Sequence, residues 1–220
     1  MRLLPAILFC FAAGSLSVAA QTLPATNLLD DAKRALESGH LDAARAALDR
    51  AEAAGKPDAR ALDLRGLLFL EEKKLDEAVK AFRAAHALDA AIYTPQLHLG
   101  DALLREQKWE EARTAYETLK QATNVLILNE RLRYAILLTY LGAKDDDESK
   151  DALAAVVFPT ETPAYYYAQA AWAFAHGDSK GGAKWMQTAS KIFDEKSTAW
   201  FARPLYDLGW IKTKPPVAVD

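Results

Sequence analysis

The feature that most constrains this chain is a pattern that returns with a period of about 34 residues. The stretch KLDEAVKAFRAAHALD, residues 74–89, matches HLDAARAALDRAEAAG, residues 40–55, and KWEEARTAYETLKQAT, residues 108–123. The aligned positions are Ala32, Gly66 and Gly100; Ala44, Ala78 and Ala112; Leu48, Phe82 and Tyr116; and Ala51, Ala85 and Leu119. A period of this length predicts a helical repeat whose units stack on their neighbours.

The small residues and the large residues that recur at these aligned positions have a common physical reason. Two helices of one unit approach closely only where a residue without bulk faces the other helix, so Gly66 and Ala78 are predicted at such contacts. Phe82 then fills the gap to the next helix. Because alanine has the highest intrinsic helix propensity, the small contact residues cost no helicity.

These columns resemble the tetratricopeptide repeat (TPR), a helix-turn-helix unit of the same period. Its pattern has a small residue at position eight, alanine at twenty, an aromatic at twenty-four and alanine at twenty-seven. The resemblance covers residues 25–126, in three units that start near Ala25, Ala59 and Tyr93. The tryptophan usual at position four is missing, with Leu28, Leu62 and Gln96 in its place. The resemblance implies an all-α, TPR-like α-solenoid with a concave face.

The second half of the chain continues the helical pattern in a looser register. Residues 127–195 are predicted to form two degenerate TPR-like helix pairs, which makes about five helix-turn-helix units in all. In the fifth unit Gln187 falls where Phe82 stands in the second, so the aromatic column fails there. Residues 196–220 are predicted as a C-terminal capping helix and tail, with a bend or stop near Pro204.

The first twenty residues have the order of a secretory signal peptide. Arg2 precedes an apolar run to about Ala13, and small residues end at Ala20 before Gln21. The run is too short for a membrane anchor, which needs roughly 20 apolar residues. We therefore expect cleavage after Ala20 and an exported protein, periplasmic or secreted, with no integral membrane segment. Cys10 is the only cysteine, so the mature chain would have no disulfide, thiol nucleophile or cysteine-bound metal.

The sequence carries no pattern that indicates catalysis. The four histidines stand in different units without a metal-binding spacing, and the chain has no nucleophile elbow, zinc-protease helix or phosphate-binding loop. A net charge of −3 is too small to indicate nucleic acid as a partner. The sequence therefore predicts no enzyme, no cofactor and no metal site.

The TPR resemblance implies that the first helix of each unit lines a peptide-binding groove. The implied groove mixes leucines with charges of both signs, which suits an amphipathic helix or an extended segment with apolar anchors. We therefore predict a scaffold that binds another protein in the periplasm or envelope of a bacterium. The candidate groove residues are Lys33, Asp63, Leu67, Leu70, Leu97, Asp101, Leu104 and Arg105.

Two other interpretations stay open. Twelve of the chain's aromatic residues lie between Phe158 and Trp210, where they either fill an irregular core or form an exposed surface that binds cell-wall glycan. The chain is alternatively a structural subunit that self-associates through the exposed ends of its solenoid.

Overall fold

The computed structural model describes residues 25–55, 58–217 and 219, so the predicted signal peptide lies outside the described part. The described residues form eleven α-helices and no strand. The helices are α1 (Ala25–Glu37), α2 (Leu41–Ala54), α3 (Ala59–Glu71), α4 (Leu75–Leu88), α5 (Thr94–Arg105), α6 (Trp109–Ala122), α7 (Leu126–Ala143), α8 (Asp146–Ala154), α9 (Ala164–Ala175), α10 (Ser179–Ser190) and α11 (Glu195–Asp207).

The first ten helices form five pairs, α1/α2 to α9/α10, and the same backbone turn joins the two helices of each pair. In every turn one residue has a positive φ angle, and the N–H of the next residue donates to the carbonyl five positions before it. This is the Schellman arrangement that ends many helices. The left-handed residues are Gly39, Lys73, Gln107, Lys144 and Gly177. The two degenerate pairs therefore keep the backbone of the repeat although their sequence register is loose.

The small and large residues meet inside the pairs, where Phe82, predicted to fill the gap to the next helix, packs on Gly66 of its own pair as well as near His98 of α5. A Cβ atom added to Gly66 on α3 would lie 2.6 Å from Cδ1 of Phe82 on α4. The next pair repeats the contact, with Gly100 on α5 facing Tyr116 on α6 at 2.7 Å. Since real Cβ atoms do not approach another carbon so closely, only glycine fits at either position.

The fifth pair uses the same contact with the partners exchanged. Here the aromatic residue, Phe174, is on the first helix, and the glycine, Gly182, is on the second. A Cβ on Gly182 would lie 2.7 Å from Phe174. The aromatic column fails at Gln187 because the ring that fills the gap comes from the opposite helix.

Replacing Gly66 with alanine is expected to lower the free energy of unfolding by about 2 kcal/mol, the usual cost of overpacking a dense core. Phe82 is fully buried, so its ring has no free space into which to move. Urea denaturation followed by circular dichroism measures the effect. Gly55→Ala is the matched control, because its nearest atom is 4.0 Å from the added Cβ; an equal loss in both variants would contradict the packing argument.

Candidate functional site

The last helix lies across the concave face of the array, whereas the predicted cap would cover its end. It continues through Pro204 and ends at Asp207. It contacts the first helix of all five pairs. The contacts are Lys196 with Glu37 of α1 (3.7 Å), Arg203 with Glu71 of α3 (2.6 Å), Asp207 with Arg105 of α5 (2.8 Å), the Phe201 carbonyl with the Tyr134 hydroxyl of α7 (2.8 Å), and the Phe201 ring with Tyr167 of α9 (centroids 5.9 Å).

A tail, residues 211–219, follows α11 and lies on the same face. Its described residues, 211–217 and 219, form no helix or strand. Lys214 Nζ donates to Glu71 Oε2 at 3.0 Å. Val217 lines a small cavity together with Leu67 and Leu70 of α3. Val219 is 6% exposed. The concave face is therefore occupied by the chain's own C-terminal segment.

The structure brings most of the predicted groove residues together at this contact. Leu97 is the exception, because it is completely buried in the core of the array. The role of these residues toward a partner stays a prediction. The seven that line cavities between the array and the C-terminal segment are Lys33, Asp63, Leu67, Leu70, Asp101, Leu104 and Arg105.

Asp63 and Asp101 accept hydrogen bonds from within the array. Asp63 lies 2.8 Å from His98 Nδ1 and accepts a bond from Thr94, both on α5. The Tyr116 hydroxyl donates to Asp101 at 2.7 Å. Burial raises the pKa of Asp101, against the opposing effect of His98 and of the Tyr116 hydroxyl. In this structure the two predicted groove carboxylates fix α3, α5 and α6 to one another.

Glu71 is the charged centre of the contact with the C-terminal segment. Its side chain is 5% exposed and pairs with both Arg203 and Lys214. Burial alone would raise the pKa of Glu71, but the positive charges of Arg203 and Lys214 outweigh it and the pKa is lowered. Glu71 therefore stays ionised and holds two cations of the segment that covers it.

Solved structures share this architecture. No protein-family model and no curated protein sequence matches the chain. A thermophilic TPR protein from Thermus thermophilus aligns with 83% of this chain and 99% of its own length, at 16% identity and a TM-score of 0.64. A mutant of MamA aligns with 77% of this chain and 97% of its own length, at 14% identity and a TM-score of 0.51. This chain has the TPR fold. The predicted fold class, an all-α TPR-like solenoid, is confirmed, and at these identities the likeness shows the fold alone.

Two cavities flank Val219 at the open edge of the TPR groove. One has a volume of about 350 Å³ and is lined mainly by α1, α3 and the residues just before and at the start of α5, with Leu29, Leu64 and Ile92 as its apolar part. The other, of about 280 Å³, lies toward α7 and α11 and includes Ile127 and Trp200. A third cavity, beneath α11, has only about 40 Å³ and accommodates little more than water. The end of the tail is thus bordered by unfilled space on two sides.

The carboxylate of Glu130, on α7, holds the loop between α8 and α9, which lines the cavity of about 280 Å³. Glu130 accepts bonds from the Thr160 and Thr162 hydroxyls, both at 2.7 Å, and from the backbone N–H groups of residues 161 and 162. Burial opposes ionisation, but the bonds from Thr162, Thr160 and the backbone outweigh it, so the pKa of Glu130 is lowered. Glu130 therefore fixes the loop between α8 and α9 to the TPR array.

This lowered pKa makes part of the stability dependent on pH. A carboxyl whose folded pKa is depressed stabilises the fold above its unfolded pKa, about 4.3, and loses that contribution as the pH falls through the folded pKa. We expect Glu130→Gln to cost about 1–2 kcal/mol at pH 7, because it weakens several charge-assisted hydrogen bonds. Denaturation at pH 7 and pH 3 should show a smaller acid loss in the variant. An unchanged acid loss would contradict the assignment.

The aromatic residues of the last third of the chain are mostly half-buried. Of the twelve, Tyr167 and Phe201 are buried and Phe158 is exposed, while the other nine are intermediate. Several rings pack edge to face, as Tyr165 and Trp185 do at an interplanar angle of 87°. Rings packed in this way fill space between helices.

Two properties of the described residues bear on other classes of function. No group of three or more His, Cys, Asp or Glu side chains in residues 25–55, 58–217 and 219 is placed to hold a metal ion. Within the same residues, no helix combines the length and the apolar character needed to cross a bilayer.

Proposed function

We propose that this TPR-fold protein is a non-enzymatic scaffold that binds a segment of another protein on its concave face. The observation that supports this is the occupied groove. The concave face binds an amphipathic helix and an extended tail of its own chain, through residues that include Leu67, Leu70 and Arg105. These are the two kinds of segment that the sequence pattern favours.

The chemistry of the groove indicates what a partner segment must carry. Leu67, Leu70 and Leu104 provide an apolar floor, and the buried Glu71 provides a negative charge among them, whereas Arg105 is already paired with Asp207 of α11. A partner therefore offers apolar anchors together with at least one cation. Such a charge selects the register of the segment more than it adds to its affinity.

Photo-crosslinking from the groove tests this proposal in the cells that produce the protein. A photoreactive amino acid in place of Arg60, an exposed residue at the groove edge, should give a discrete crosslinked protein. The same amino acid in place of Lys80, which is exposed on the second helix of its pair, is the matched control. Equal crosslinking from both positions, or none from Arg60, would overturn the groove proposal.

We further propose that the scaffold acts outside the cytoplasm, in the periplasm or envelope of a bacterium. The support is the signal-like order of residues 1–20. N-terminal sequencing of the protein purified from its native cells should find Gln21 first. A protein that begins at Met1 and fractionates with the cytoplasm would overturn this part of the proposal and leave the binding role standing.

A further inference from the structure

We propose that the tail, residues 211–219, is a built-in placeholder for the partner. The groove takes an extended segment antiparallel to α3, with a lysine at the place of Lys214 and apolar side chains at the places of Val217 and Val219. The partner's side chain at the place of Val219 is bulkier than valine. This inference rests on the proposed binding function, and it specifies the class of segment that binds and how the free groove is protected.

The direction of the tail over α3 supports a defined peptide site. Lys214 pairs with Glu71. Val217 lines a cavity together with Leu67 and Leu70, and Val219 lines another together with Asp63 and Leu64. The tail therefore passes successive turns of α3 in the direction opposite to the helix, and Pro215 and Pro216 favour an extended backbone there.

The tail is bound far less firmly than α11. Lys212, Thr213, Lys214 and Pro216 are exposed, which is half of the described tail residues. By contrast, α11 buries Phe201 and Leu205 almost completely. Elements with few buried contacts open at low free energy while the rest of the fold persists. The tail is thus separable from the fold, and α11 is not.

The end of the tail fills its site poorly. Val219 has the 350 Å³ cavity on one side and the 280 Å³ cavity on the other. Both have mixed walls whose apolar parts are Leu29, Leu64 and Ile92 in the first and Ile127, Phe193 and Trp200 in the second. A leucine in place of valine would bury about one more methylene group, which increases affinity about fourfold. A partner with such a residue binds this place more tightly than the tail sequence does when both are compared as free peptides.

Tethering explains how a weakly bound tail still covers the groove. A short linker gives the tail an effective concentration in the millimolar range. It therefore excludes weak, unspecific segments, and a partner must bind tightly enough to replace it. The groove is covered until such a partner arrives, so its apolar floor is not left open to water.

Fluorescence anisotropy with labelled peptides tests the inference. The probes are the peptide KTKPPVAVD, which is the sequence of residues 212–220, and its Val219→Leu and Val219→Asp versions. Each is titrated with the full chain and with a chain that ends at Thr213. We expect the shortened chain to bind the native peptide about tenfold more tightly than the full chain. The leucine version should bind about fourfold more tightly still, and the aspartate version should not bind.

The outcomes separate this inference from the proposed function. If the shortened chain keeps its helical circular dichroism and binds none of the peptides, the placeholder inference is wrong. Equal affinity of the full and shortened chains, or no preference for leucine over valine, would also overturn it. A partner crosslinked at Arg60 would still support the scaffold in each of these cases, since binding at this edge of the groove does not require a segment that resembles the tail.

Discussion

Replacing Phe201 with alanine is expected to lower the free energy of unfolding by about 4 kcal/mol, the usual cost of deleting a buried aromatic side chain. The ring is 3% exposed. It packs against Tyr134 of α7, Tyr167 of α9 and Trp200 of its own helix, with centroid distances of 5.1 to 5.9 Å. Its removal leaves a cavity at the place where α11 meets two pairs of the array, and the surrounding rings are too well packed to close it.

Phe158→Ala is the matched control for this experiment. Phe158 is 63% exposed, so the same chemical change there should alter stability by no more than about 0.5 kcal/mol. Urea denaturation followed by circular dichroism compares the two variants. If Phe201→Ala were as mild as Phe158→Ala, α11 would be a loosely docked helix, and the distinction between a structural α11 and a separable tail would fail.

The parts of the fold that the sequence predicts are those set by contacts within one repeat. Gly66 and Phe82 lie on the two helices of one pair, and the same two columns meet in the next pair at Gly100 and Tyr116. Their residue types therefore recur in register. The prediction fails for the fifth pair because the aromatic residue is on its first helix and the glycine on its second. Packing requires one partner of each size but does not fix which helix supplies it.

The turns between paired helices were equally hidden from sequence reasoning. A left-handed residue usually indicates glycine, yet three of the five turns place Lys73, Gln107 and Lys144 there. The hydrogen bonds of the Schellman turn and the packing of the two helices outweigh the local cost. The spacing of the helices therefore indicates where these turns lie, whereas the type of residue at the left-handed position does not.

The sequence also did not predict which segment occupies the groove, and here the reason is different. Arg203 and Glu71 are 132 residues apart and belong to segments with no common pattern. The residues of α11 predict an amphipathic helix, but any apolar face of the array would bury its ring side chains equally well. The groove residues were identifiable because repeats place them periodically. Their coverage by α11 and the tail depends on one set of ion pairs that occurs once in the described chain.

The largest electrostatic effect is expected at that set of ion pairs. Glu71→Ala should lower the free energy of unfolding by about 3 kcal/mol, because it leaves a buried guanidinium without its closest partner. The Arg203 side chain is 11% exposed and would then depend on the more distant Asp207, at 3.5 Å. Since Glu71 also holds Lys214, the same change releases the tail.

Glu52→Ala provides the matched control for Glu71→Ala. Glu52 also pairs with an arginine, Arg65, at 2.9 Å, but its side chain is 46% exposed. Water screens such a pair, so the loss should stay below about 1 kcal/mol. Similar losses in the two variants would show that the burial of Glu71 adds nothing to its ion pairs.

A double replacement separates the charge from the packing. Glu71→Met combined with Arg203→Met removes both buried charges and keeps apolar volume, so its stability should return to within about 1 kcal/mol of the parent. Glu71→Met alone should remain as unstable as Glu71→Ala. Recovery in the double variant would show that the loss comes from an unpaired buried cation. If the double variant were as unstable as the single one, the pair would be stabilising in itself, and α11 would be held on the concave face chiefly by charge.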